Sequence, residues 1–115
     1  MENQVHPLKE IAERFAKGDI AFAKAYFADT ITWHILGEQS VHGKVQVLET
    51  LKMSQLASYP IINIKNIVAE GNCVVIESTG EASTKTGEPY RQQYCEIFTF
   101  ENGKLQEVST YLGTV

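Results

Sequence analysis

The apolar residues keep a helical rhythm as far as Pro60 and a two-residue rhythm after it. In the first part, Val5, Leu8, Ile11, Ala12 and Phe15 recur at helical spacing, with Lys9, Glu10, Glu13 and Arg14 on the opposite side. This predicts an amphipathic helix over residues 5–17. Gly18 and Asp19 then supply a stop and an N-cap in succession, so a second helix is expected through IAFAKAYF to Phe27. The stretch ITWHILG, residues 31–37, reads as a short buried strand, and GEQSVHG after it as a polar loop bounded by Gly37 and Gly43. Residues 44–58 place Val45, Leu48, Leu51 and Leu56 on an imperfect apolar stripe that Pro60 ends, which predicts a third helix.

Beyond Pro60, IINIKNIVAE, CVVIESTGEA, PYRQQYCEIFTFE and KLQEVSTYLGT are four strand candidates. They are separated by the turn sequences Glu-Gly-Asn, Thr-Gly-Glu and Glu-Asn-Gly-Lys. An antiparallel meander is expected, and with three helices and a strand before it the fold class is α+β. The third of these strands sets Tyr94, Glu96, Phe98 and Phe100 against Cys95, Ile97, Thr99 and Glu101, so both of its faces carry apolar residues. Three helices cover one face only, which points to a homodimer with a second subunit on the other.

At 115 residues and 43% hydrophobic, the chain suits one domain, residues 1–115. Its 14 acidic and 10 basic residues give a net charge of −4 without any basic run, which argues against nucleic acid as a partner. Apolar stretches are strand-sized, and MENQVHPLKE lacks the layout of a secretory leader. No membrane association is expected, and the cytoplasm is the expected location. Cys73 and Cys95 lie far apart and outside any CxxC spacing, as reduced thiols would. His6, His34 and His42 share no metal-ligand spacing, so no metal is expected.

Candidate chemistry centres on two residues. His34 sits beside Trp33 in the middle of an apolar strand, and neighbours on a strand point to opposite faces. An imidazole titrating near about 6.5 can serve as a general base or a ligand donor inside a cavity; equally, it can be a structural histidine tied to a carbonyl or to Glu96. Glu96 alternates with three aromatic residues. Such surroundings keep a carboxylic acid protonated and able to donate to a substrate oxygen, unless Glu96 faces solvent and pairs with Arg91 or a lysine. Trp33 either walls a ligand pocket or packs in a core or dimer interface. Tyr94 and Phe98 share the strand face of Glu96, and Tyr26 and Tyr94 are candidate hydroxyl donors to a ligand.

The corner KGDIAFAKAYFADTITWHILG, the segment VHGKVQVLETL and the closing EIFTFENGKLQEVSTYLG together resemble the nuclear transport factor 2-like superfamily. Within it they resemble the ketosteroid isomerase and SnoaL-like polyketide cyclase branch. The resemblance implies a conical helix-and-sheet domain enclosing a hydrophobic pocket. It places His34 at the position of the isomerases' proton-shuttling aspartate and Glu96 at that of their protonated aspartic acid. Their oxyanion tyrosine is replaced by Ile11, a departure from steroid isomerase chemistry. The reading that follows is a pocket for a small apolar ligand, with cofactor-independent isomerase or cyclase chemistry in which His34 removes a proton beside a carbonyl and neutral Glu96 donates to its oxygen. The alternatives are a noncatalytic ligand-binding protein and a dimeric protein-interaction module.

Overall fold

Two helices meet at a corner because Gly18, at φ +85°, takes the left-handed conformation that ends the first. The computed structural model describes residues 5–52 and 61–114. Helix α1 spans Val5–Ala16 and helix α2 Ile20–Ala23, followed by a 3₁₀ turn, Lys24–Tyr26. Asp19 caps α2 as expected, its Oδ1 accepting the Phe22 N–H at 3.3 Å while Oδ2 accepts from Arg14 at 2.7 Å. The second helix is shorter than its sequence suggested, because Phe27 already belongs to strand β1, Phe27–Ile35.

The segment read as a polar loop forms a strand. Gly37, at φ +85°, turns the chain so that β2, Gln39–His42, pairs antiparallel with β1. Helix α3 is Lys44–Lys52. Its buried contact comes from Val47, whereas Val45 is 70% exposed and lies off the stripe expected for it. The expected continuation to residue 58 and the stop at Pro60 lie outside the described residues.

Strands β3 (Ile61–Glu70), β4 (Cys73–Ser83), β5 (Pro89–Glu101) and β6 (Lys104–Thr114) form the expected meander. The β5–β6 turn carries Asn102 and Gly103, both at positive φ, as a tight hairpin requires. β1 joins the sheet parallel to β6, which gives the order β2-β1-β6-β5-β4-β3 and a mixed six-stranded sheet.

One face of the sheet meets the helices. Val74 and Ile76 from β4, Phe98 and Phe100 from β5, and Leu105 and Val108 from β6 are buried there with Ile11, Ala12 and Phe15 of α1. Phe15 is the central ring, with centroids 5.6 Å from Phe98, 5.8 Å from Trp33 and 6.0 Å from Phe27. A shift of register between Thr99 and Phe100 lets both Leu105 and Val108 face this core although they are three residues apart. Cys73 and Cys95 are free thiols. Cys73 pairs with Thr99, four residues along β5 from Cys95, a separation of about 13 Å that no disulfide spans.

Phe98 is fully buried under Phe15. Phe98→Ala should cost about 3–5 kcal/mol of folding stability, read from urea unfolding followed by the fluorescence of Trp33.

Candidate functional site

The phase of β1 decides which side chains share a compartment. Ile31 is fully buried, and Trp33 packs on the same core, edge-on to Phe15. His34 must then point through the opposite face of the sheet. It does so between its register partners Ser40 of β2 and Ser109 of β6. Its Nε2 lies 2.8 Å from Glu107 Oε2 and its Nδ1 lies 2.9 Å from Ser40 Oγ. A carboxylate only accepts, so Nε2 carries a hydrogen toward Glu107, while Nδ1 and the Ser40 hydroxyl share the second bond. This group borders a shallow outer cleft of about 480 Å³ whose lining includes Leu36, Gly37 and Tyr111.

Glu96 occupies the helix-side face. It is 7% exposed, opposite Ile76 on β4 and Thr110 on β6. Burial pushes its carboxyl up to about 7, against the opposing effect of a hydrogen bond that Thr110 Oγ1 donates to Oε2 at 2.7 Å. Thr110 in turn accepts from the Trp33 indole Nε1 at 2.9 Å. The expected meeting of His34 and Glu96 therefore does not occur: they lie on opposite faces of one sheet. The residue that reaches toward Glu96 from β1 is Trp33, through Thr110.

The remaining candidates separate in the same way. Tyr94 lies two residues from Glu96 on the same strand face and is half-buried. Phe98 shares that face but is wholly enclosed in the core. Tyr26 is 37% exposed at the end of the 3₁₀ turn, against Phe22, and is not brought to Glu96. Ile11 is a core residue at 3% exposure. The alternative pairing of Glu96 with Arg91 is not formed, since Arg91 lies beside Glu81 at 3.8 Å. Thr110 is the functional candidate that the sequence reading missed. Its signal was the period-two set Val108, Thr110, Leu112, which carries a hydroxyl on an apolar phase. Among the described residues no group of His, Cys, Asp and Glu is arranged to hold a metal ion, and no helix is long and apolar enough to cross a membrane.

A SnoaL-like domain matches residues 8–108, and the chain belongs to that family. Its fold is the nuclear transport factor 2-like cone. A Cytophaga hutchinsonii nuclear transport factor 2-like protein of unknown function superposes with a TM-score of 0.83 at 27% identity, over 96% of this chain and 100% of the other. A Jannaschia protein provisionally assigned as a SnoaL-like polyketide cyclase gives 0.82 at 13% identity, over 97% and 90%. An epoxide hydrolase of Mycobacterium tuberculosis, of the LEH-like kind, gives 0.80 at 17%, over 96% and 86%. No curated protein matches the chain.

A carboxyl that titrates near 7 in the folded protein and about 4.5 in the unfolded chain makes stability depend on pH. Between those values the unfolded chain loses the proton first, so stability falls as pH rises and levels off above about 7. Urea unfolding at pH values of about 5 and 8 should show Glu96→Gln gaining on the wild type by on the order of 3 kcal/mol at the higher pH.

Proposed function

We propose that this protein binds a small apolar ligand bearing a neutral oxygen, such as a ketone, on the helix side of the sheet, with Glu96 in its acid form donating a hydrogen bond to that oxygen. The observation that carries this reading is the burial of a carboxyl group with a pKa of about 7 on the face that also holds Tyr94, Thr110 and Trp33. A buried carboxylic acid that is neutral near physiological pH is a hydrogen-bond donor, and in apolar surroundings the bond is strong. If the pocket is catalytic, the chemistry that fits is isomerase- or cyclase-like, with Glu96 polarising a carbonyl or passing a proton to it. His34 takes no part in that step, because the sheet lies between them. Chemistry carried by the related structures, a provisional cyclase and an epoxide hydrolase among them, supports small-molecule pockets on this scaffold without naming the substrate.

The test uses a neutral cyclic enone and a hydrocarbon of matched size as probes, with binding followed through Trp33 fluorescence. The enone should bind about tenfold more tightly at pH values near 6, and its advantage should fall about tenfold per pH unit above 7 as the acid ionises. Glu96→Gln keeps a donor and should bind without that pH dependence, while His34→Ala should leave binding unchanged. Equal binding of enone and hydrocarbon at every pH would refute the reading.

A homodimer is the second part of the proposal. Val68, Val75 and Ile97 stand in one row across β3, β4 and β5 on the outer face, and Val68 is 63% exposed. A second copy seated on this row would remove it from water. Sedimentation should find a dimer that Ile97→Glu converts to monomer with the helix content unchanged.

A further inference from the structure

The hydrogen-bond chain behind Glu96 has a fixed polarity. An indole nitrogen only donates, so the 2.9 Å contact from Trp33 Nε1 makes Thr110 Oγ1 an acceptor there. The hydroxyl has one hydrogen to give, and Glu96 Oε2 stands 2.7 Å away to take it. Reversing that bond would turn the hydroxyl hydrogen of Thr110, a residue 3% exposed, away from its acceptor. A buried donor without an acceptor is costly. The proton that neutralises Glu96 is thereby excluded from Oε2 and goes to Oε1.

We propose that Trp33 and Thr110 are positioning residues that hold Glu96 as a one-sided acid, with its Oε2 occupied by the Thr110 hydroxyl and its acidic hydrogen confined to Oε1. The proposal rests on the reading of Glu96 as the acid of the pocket and adds how that acid is oriented and tuned. A ligand then meets a donor of set direction rather than a carboxyl whose hydrogen is shared between two oxygens. Preorganisation of that kind makes a donor effective toward charge developing on an oxygen.

The same chain opposes the desolvation of Glu96, because the Thr110 hydrogen stabilises the ionised carboxylate. Trp33 acts at one remove by occupying an acceptor site of Thr110 and keeping its hydrogen toward Glu96. Other influences on the carboxyl are apolar or neutral. Opposite it on β4 stand Ile76 and its neighbours Val74 and Ser78; on β6 stand Val108 and Leu112; along β5 stand Tyr94 and Phe98. Helix α1 brings Phe15, which packs on Phe98 and Trp33. None of these carries a charge near neutral pH, and Tyr94 is the titratable one among them. The hydroxyl of Thr110 is therefore the principal polar handle on the carboxyl among the described residues.

The experiment is an NMR titration of the full chain, with carboxyl carbons labelled in glutamate, from about pH 5 to about pH 9. In the wild type, Glu96 should titrate near 7, apart from the surface glutamates. The single tryptophan of the chain gives one indole N–H resonance, which should move through the same midpoint. Thr110→Val should raise the Glu96 midpoint by about 1 pH unit and Trp33→Phe should raise it in the same direction, whereas Thr110→Ser should keep the wild-type value. An indole resonance that stays still while Glu96 titrates overturns the proposal, as does a Thr110→Val midpoint equal to that of Thr110→Ser. These two readouts decide the matter even if Trp33→Phe fails to fold. Glu96 titrating with the surface carboxylates in the wild type would remove the acid itself, and with it both this inference and the pocket reading.

Discussion

A carboxyl group sits inside this sheet, and a neighbouring strand offers it a hydroxyl. Glu96 enters the apolar face between Ile76 and Thr110, where an ionised carboxylate would lose its hydration. Two adjustments make the position tolerable: the carboxyl stays protonated to an unusually high pH, and Thr110 satisfies one of its oxygens. Trp33 then satisfies Thr110. The hairpin strands β5 and β6 and the sequence-distant β1 are joined in this way by two side-chain hydrogen bonds across an otherwise apolar layer. The core around them, centred on Phe15, supplies the dryness that gives those bonds their strength.

The two sides of the sheet have different chemistry. On the helix side lie Phe15, Trp33, Phe98 and the buried acid. On the outer side lie Ser40, His34 and Glu107 in a half-exposed network, salt bridges such as Lys65 with Glu77 at 4.0 Å, and an apolar row of Val68, Val75 and Ile97. Exposed ion pairs of this kind contribute little to stability. The row from β3 to β5 is an apolar strip beside them. The imidazole that stands out in the sequence is thus a surface group tied to two strands, while the inconspicuous Thr110 touches the acid.

How much of this was legible can be judged on single residues. Alternation in Ile31, Thr32, Trp33, His34 and Ile35 puts the odd positions on the apolar side, and by that pattern alone Trp33 faces inward and His34 outward. The family resemblance implies His34 in the pocket instead, and a difference of one residue in such an alignment exchanges the two faces. Glu96 was identifiable because Phe98 and Phe100 on its own strand set the apolar phase around it. Thr110 was harder, because its phase depends on the shifted register between Thr99 and Phe100, which brings both Leu105 and Val108 to the core. That irregularity has no single marker in the sequence.

The local sequence by itself determined the first helix, the positions of the second and third, the four-strand meander, the capping at Gly18 and Asp19, and the α+β class, since these depend on residues within a turn or two of each other. Family likeness across the chain carried the cone. Tertiary structure alone decided that β1 lies parallel to β6, that Gln39–His42 is a strand, and that Trp33 rather than His34 is linked to Glu96. Those facts depend on which strands lie side by side and in which register. Side-chain orientation reverses with every single-residue step, so the composition of the site follows from the register between strands, including the pairing of β1 with a strand more than seventy residues away.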